Sequence, residues 1–264
     1  MKVAAEELFA GTVEYYARHR PPYPPALFAT LAAQAAPGRP LRLLDLGCGT
    51  GELVIPLSAD MDESVAVDPS ADMVRHGRAK ARRAGRDTIE WQVTTAEAFT
   101  APDEAFNLVT AGASFHWMDR RLVGARALRW LRPGGAIAIA GVNSTWNGTE
   151  EWQRVAVSVI QRWLGERRRA GTGTFDVGHG RHEDVLRAIG FVQVTDTTFP
   201  VSHTWTVEDF LGYLYSTSFA SKSVLGDRIE SFESDMQEAL RNHDPSGIYT
   251  ETLRFHCVIG HKPR

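Results

Sequence analysis

Between residues 41 and 140 short apolar runs alternate with helical patterns, and that alternation restricts the chain to very few folds. Residues 41–45 (Leu-Arg-Leu-Leu-Asp), 64–67, 89–93, 106–110 and 136–140 read as five buried strands. Between them, residues 51–58 carry Leu53, Val54 and Leu57 on one helical face, and Ser70 reads as the N-cap of a helix reaching Gly85. Residues 119–131 set Leu122, Ala125, Leu128 and Leu131 three apart. Strand and helix at this spacing imply right-handed parallel crossovers, hence an α/β fold with a doubly wound, mostly parallel, Rossmann-like sheet covered on both faces. A length of 264 residues suits one such domain with an elaboration.

The elaboration begins near residue 145. Residues 150–164 place Trp152, Val155, Ala156, Val159, Ile160, Trp163 and Leu164 on one helical stripe, which Gly165 ends. Thr206 and Asp209 have the spacing of a capping box before Val207, Phe210, Leu211 and Leu214, while Ile229, Phe232, Met236 and Leu240 mark another helix. Residues 191–199 and 253–261 read as two more strands, completing a sheet of seven. A single domain 1–264 is therefore expected, with its core at about 36–145, 186–199 and 253–262. A helical lid of 1–35, 146–185 and 200–252 would roof the carboxyl ends of the strands, where open α/β sheets bind ligands. The run Arg167-Arg168-Arg169 reads as a solvated helix end satisfying the dipole.

Charge and cysteine usage narrow the partners. The 29 basic and 32 acidic residues give a net charge of −3, so there is no general basic field for nucleic acid or an anionic membrane. Cys48 and Cys257 are too few for a disulfide framework, no apolar run approaches the ~20 residues of a membrane span, and Glu6 and Glu7 stand where a signal peptide would be apolar. The expectation is a cytoplasmic chain with neither a nucleic-acid nor a membrane partner.

Residues 45–51, Asp-Leu-Gly-Cys-Gly-Thr-Gly, follow a strand and open a helix, so the backbone bends sharply and main-chain N–H groups lie open to a ligand. Asp68, ending the second strand, is placed to accept hydrogen bonds from both hydroxyls of a ribose. A dinucleotide fingerprint needs glycine at position 52, where Glu52 stands, and the acid at position 45 would repel a pyrophosphate. Asp45 suits the cationic amino-acid end of a ligand instead.

Residues 43–51, with 65–70 (Val-Ala-Val-Asp-Pro-Ser) and Met73, resemble the first two motifs of class I S-adenosylmethionine-dependent methyltransferases. Thr95-Ala96-Glu97, residues 106–111 running into Phe115-His116-Trp117, and residues 131–135 (Leu-Arg-Pro-Gly-Gly) continue the series over about residues 10–142. The opening 16–24 and the His-Trp pair are similar to the branch holding trans-aconitate methyltransferases and many methyltransferases of bacterial specialised metabolism, although Ala113 stands where that branch often has glutamine. The resemblance implies the class I methyltransferase fold and S-adenosylmethionine as cofactor, with S-adenosylhomocysteine as product. It implies that Asp45 and the backbone at Gly47 and Gly49 hold the methionyl moiety, and Asp68 the ribose. Pro69 and Met73 would meet the adenine faces, Ala96 and Glu97 the adenine amino group, and Ala111 the methionyl part. Tyr16 would close over the cofactor, or equally pack as a surface tyrosine on the first helix.

The expected reaction is in-line methyl transfer to an oxygen, nitrogen or carbon of a small-molecule acceptor, in natural product biosynthesis. The alternative is a scaffold of the same fold, a cyclase or binding protein, that keeps the cofactor without methylating. His116 is the candidate base, or else a packing partner of Trp117. Trp117 and Trp146 are the candidate acceptor contacts, whereas Trp152 fits core packing and His203 a surface role. No metal is expected: His179 and His182 stand by Glu183 and Asp184, but the exit of the fourth strand lacks the aspartate of magnesium-dependent enzymes. Pro21-Pro22-Tyr23 precedes the cofactor loop, the wrong place for a base-methylating enzyme. Helices at an exposed edge would equally serve a homodimer.

Overall fold

The computed structural model describes residues 9, 11–35, 38, 40–171, 173–174 and 180–264. The chain forms two compact units. A sheet unit comprises Pro22–Val142, Val177–Phe199 and Phe255–Arg264, and a helical unit comprises Met1–Pro21, Asn143–Asp176 and Pro200–Arg254.

Among the described residues the strands are β1 (Arg42–Leu46), β2 (Glu63–Asp68), β3 (Ile89–Val93), β4 (Phe106–Gly112), β5 (Leu131–Val142), β6 (Arg169–Ala170), β7 (Gly173–Thr174), β8 (Val192–Thr206) and β9 (Ile248–His261). The helices are α1 (Val13–His19), α2 (Pro25–Ala32), α3 (Val54–Leu57), α4 (Ala71–Arg83), α5 (Arg120–Trp130), α6 (Glu151–Leu164), α7 (His182–Ile189), α8 (Val207–Tyr215), α9 (Lys222–Leu225) and α10 (Ile229–His243). Seven strands form one sheet in the order β3-β2-β1-β4-β5-β9-β8, and β6 pairs with β7 separately. Pairing from β3 through β5 is parallel, and β9 joins β5 antiparallel with Ile139 opposite Val258. The strand order reverses between β1 and β4, so their carboxyl ends open the crevice in which such sheets bind ligands.

Leu44, Leu46, Val67, Val109, Ile137 and Ile139 are buried with Val123, Ala127 and Trp130 of α5 in one cluster of the sheet unit. Burying each large apolar side chain stabilises the fold by about 1.5–3 kcal/mol. The Ser70 cap stands where the sequence puts it, its Oγ accepting from Met73 N–H at 3.3 Å, and Asp119, which the sequence reading does not single out, caps α5 by accepting from Leu122 N–H at 3.0 Å. In α4, Gly77 lets the β3 side chain Trp91 approach, since a Cβ there would lie 2.5 Å from its ring.

Two extents differ from the sequence reading. Only Val54–Leu57 of residues 51–58 is helical, because Gly51 has φ +90, outside the right-handed helical region. The strand read over 191–199 is longer in the structure, β8 running on to Thr206. The β-branched and aromatic composition of residues 200–206 favours a strand, and Pro200 is tolerated because β8 is an edge strand.

In the helical unit Trp152, Ala156, Val159, Ile160 and Leu164 of α6 bury against Trp205, Phe210, Leu214, Phe232, Met236 and Leu240. Glu150 and Gln153 form a capping box at the start of α6, and Thr206 Oγ1 accepts from Asp209 N–H at 3.0 Å before α8. Gln153 also donates to Glu251 Oε2 at 2.7 Å, and Trp205 Nε1 donates to Glu251 Oε1 at 2.6 Å. Burial nonetheless holds the Glu251 carboxyl above its ordinary pKa. No helix among the described residues is long and apolar enough to cross a membrane, and Cys48 and Cys257 are buried free thiols.

Candidate functional site

The glycine loop leaves the carboxyl end of β1, and its first glycine is a packing necessity. Gly47 has φ +64, and a Cβ there would lie 2.5 Å from Ser114 Cβ. The segment after β4 therefore crosses directly over the loop, tied down by Ser114 Oγ donating to Leu46 O at 2.7 Å. Beside it Ala113 has φ +51, a left-handed conformation unusual for a residue with a side chain. Its N–H donates to Ala140 O at 2.8 Å, which holds that turn to β5. Strained backbone of this kind gathers where a site imposes geometry.

Asp68 ends β2 and is buried. Its Oδ2 accepts from Gly49 N–H and its Oδ1 from Ser70 N–H, both at 2.9 Å. The Gly49 N–H is thus engaged in orienting Asp68, and each carboxylate oxygen keeps acceptor capacity. Burial raises the Asp68 pKa and the two backbone hydrogen bonds oppose the shift. Asp45 is 1% exposed and accepts from Thr110 Oγ1 of β4 at 2.7 Å. Desolvation pushes its pKa from 3.8 to about 7, with hydrogen bonds from Thr110 and the Val54 backbone lowering it and the charges of Glu52 and Asp68 raising it. Glu52 Oε1 accepts from Thr50 Oγ1 at 2.5 Å and from Lys80 Nζ at 3.0 Å. Three carboxyl groups therefore surround one loop.

Around this loop lie the other residues singled out in the sheet unit. Pro69 follows Asp68, Met73 is buried in the first turn of α4, and Ala96 is buried after β3. Glu97 Oε1 accepts from Asp119 N–H at 2.8 Å, and its carbonyl accepts from Arg126, so this residue also braces the start of α5. Ala111 is fully buried in the last turn of pairing of β4 with β5. His116 and Trp117 are half-buried on a 3-10 turn, Phe115–Trp117, with ring centres 4.8 Å apart. Tyr16 and Trp146 belong to the helical unit: Tyr16 on α1, and Trp146 with its ring 5.7 Å from Phe219.

The remaining histidines are placed as follows. His182 caps the buried Phe115 ring at 5.5 Å, and burial together with Arg120 and His256 lowers its pKa to about 4. His203 packs edge-on against Trp205 at 4.2 Å. His179 lies outside the described residues. Among the described residues no group of three His, Cys, Asp or Glu side chains could hold a metal ion.

A family profile described as "Methyltransferase domain" matches residues 43–135, the stretch that builds β1 to the start of β5. Over these residues the chain is similar to methyltransferase domains. It is 32% identical over 157 residues to the uncharacterized methyltransferase Rv3342 of Mycobacterium tuberculosis, covering 58% of this chain and 59% of that protein. It is also 32% identical over 125 residues to a ubiquinone biosynthesis O-methyltransferase of a Bradyrhizobium species, covering 47% and 48%. The matches thus span about half the length of these curated relatives. A protein assigned as a type II methyltransferase from Anaeromyxobacter dehalogenans has the same fold, with a TM-score of 0.64 at 22% identity over 93% of this chain and 99% of that one.

Several contacts around the glycine loop have no signal in the motif spacing. Thr110 reads only as a strand residue, yet it is the side-chain donor to Asp45. Ser114 and Ala113 read as loop, yet they cross Gly47. Tyr23 brings its hydroxyl 3.0 Å from where a Gly112 Cβ would stand, and its ring rests 5.6 Å from Phe255. Each relation joins segments distant in sequence, which periodicity cannot report.

Proposed function

We propose that the chain transfers a methyl group from S-adenosylmethionine to a small-molecule acceptor with an oxygen, nitrogen or carbon nucleophile. The observation that carries this reading is the carboxyl cluster of Asp45, Glu52 and Asp68 at the switch of strand order, where a cationic ligand gains and a pyrophosphate is repelled. The residues fit the cofactor. Asp68 is oriented by Gly49 and Ser70 with acceptor capacity left for a ribose diol, and Asp45 with the Gly47 and Gly49 backbone suits a methionyl ammonium. Pro69, Met73, Ala96 and Glu97 would line the adenine, Ala111 the methionyl part, and Tyr16 would cover it. When bound, the sulfonium supplies an electrophilic methyl group that is displaced in line.

The chain's own residues then align the acceptor and exclude water, with Trp117 and Trp146 as apolar contacts. Where the nucleophile carries a proton, His116 accepts it at an imidazole nitrogen. Residues 1–35, 146–185 and 200–252 would serve as the lid. The N-terminal and His-Trp motifs support placement in the trans-aconitate and specialised-metabolism branch, and the two buried thiols suit a cytoplasmic setting.

The test is calorimetric titration with S-adenosylhomocysteine of the wild type and of Asp68→Ala. Loss of the charge-assisted ribose contact should weaken binding by about 1–3 kcal/mol. A folded wild type that does not bind would overturn the reading. Binding without S-adenosylhomocysteine release from S-adenosylmethionine across an acceptor panel would select the non-methylating scaffold.

A further inference from the structure

Tyr23 of the sheet unit stands where β4 has no side chain of its own. Gly112 ends β4, and a Cβ there would lie 3.0 Å from the Tyr23 hydroxyl oxygen and 2.8 Å from Leu53 Cδ1. Pro22 and Pro24 flank Tyr23 and keep that segment extended before α2. Its ring is set between two others, with Phe28 of α2 edge-on at 6.4 Å and Phe255 of β9 at 5.6 Å. Alternate residues of a strand share a face, so Gly112 lies on the face of Thr110, whose hydroxyl donates to Asp45 at 2.7 Å. β1 and β4 run parallel with Asp45 opposite Thr110, which sets Gly112 level with Gly47. Two strand residues span about 7 Å, so the Asp45–Thr110 pair and the Tyr23 hydroxyl both border the start of the glycine loop. Tyr23, Gly112 and Gly47 are half-buried, whereas Asp45 is buried.

An ammonium group carries three N–H donors, and one oxygen of Asp45 is already engaged by Thr110. A second acceptor is therefore needed on that face. Asp45, Glu52 and Asp68 already gather around the loop, so a further carboxylate would add repulsion. A phenol oxygen adds an acceptor without adding charge. It has two lone pairs, so it accepts from a ligand whatever partner its own proton takes.

We propose that the Tyr23 hydroxyl oxygen binds the cofactor by accepting a hydrogen bond from its methionyl ammonium, beside Asp45, and that Gly112 lacks a side chain to admit it. The inference rests on the S-adenosylmethionine reading and deepens it, because the segment before α2 then recognises the amino-acid end of the ligand. Tyr23 binds and orients there, and no bond is made or broken.

Calorimetric titration of the purified full chain with two ligands tests this. One is S-adenosylhomocysteine, and the other is its deamino analogue 4-(adenosylthio)butanoate, which has hydrogen in place of the ammonium. Wild type should bind S-adenosylhomocysteine at least about tenfold more tightly than the analogue. Tyr23→Phe keeps the ring between Phe28 and Phe255, and should weaken S-adenosylhomocysteine about tenfold while leaving the analogue unchanged. Gly112→Ala sets a methyl group against the hydroxyl and should give the same selective loss, so it serves if the phenylalanine variant fails to fold. Combined, the two changes should weaken binding no more than one of them alone. A folded Tyr23→Phe that loses affinity equally for both ligands, or for neither, would overturn the assignment and leave Tyr23 a packing residue. Wild type that binds the two ligands equally would overturn it as well. Folded wild type that binds neither would remove the S-adenosylmethionine reading itself, and the assignment with it.

Discussion

Asp68 of the sheet unit is met by main-chain donors, Glu251 of the helical unit by side chains. Asp68 accepts from Gly49 and Ser70 N–H groups, whereas Glu251 accepts from Trp205 and Gln153 side chains. Main-chain donors come with a loop conformation, so any sequence that makes the loop makes the donors. Side-chain donors have to be assembled from distant positions, and here Gln153 and Trp205 lie 98 and 46 residues from Glu251. Each oxygen of either carboxylate accepts one such bond, so the two differ in the kind of donor and in how far along the chain it is found.

The largest effect expected from this contrast is a pH dependence in the sheet unit. Because the folded Asp45 pKa lies above its ordinary value, its contribution to stability is complete below pH 3.8 and is lost as pH rises through about 7. That loss amounts to about 4 kcal/mol in the ligand-free protein. Urea unfolding across that range should show it, and Asp45→Asn should flatten the profile; parallel curves for the two proteins would break the account. Next, Glu251→Ala should cost about 3 kcal/mol by stranding the Trp205 and Gln153 donors, with S-adenosylhomocysteine affinity retained. A loss of under about 0.5 kcal/mol would show that water replaces the carboxylate and the brace is dispensable.

Smaller effects sharpen the picture of the sheet unit. Gly77→Ala should destabilise by about 2 kcal/mol through contact with Trp91, and Trp91→Leu in the same chain should restore part of it in thermal unfolding. Thr110→Val should cost about 1 kcal/mol and move the Asp45 transition to still higher pH, since the hydroxyl is the largest influence opposing the shift. An unmoved transition would assign that role to the Val54 backbone.

The alternation of strand and helix, the N-caps Ser70 and Thr206 and the amphipathic face of α6 were legible because each depends on neighbours within a few residues. Asp68 was legible for the same reason, standing at a strand end beside a glycine loop. The strand read over 191–199 runs on to Thr206, an extension that depends on a partner strand, β9, that follows some forty residues later in the chain. Arg168 was misread because a run of arginines looks solvated until Phe219 is brought beneath one of them.

By itself the sequence determined the α/β class, the switch in strand order implied by its crossovers, and the methyltransferase motifs, all consequences of local periodicity and short spacing. Only the tertiary structure decided that Thr110 serves Asp45, that Ser114 crosses Gly47, that Glu251 is held by Trp205 and Gln153, and that Arg168 stands over Phe219. Each of these depends on through-space distance and on the desolvation that burial brings, and neither quantity is encoded at any single stretch of chain.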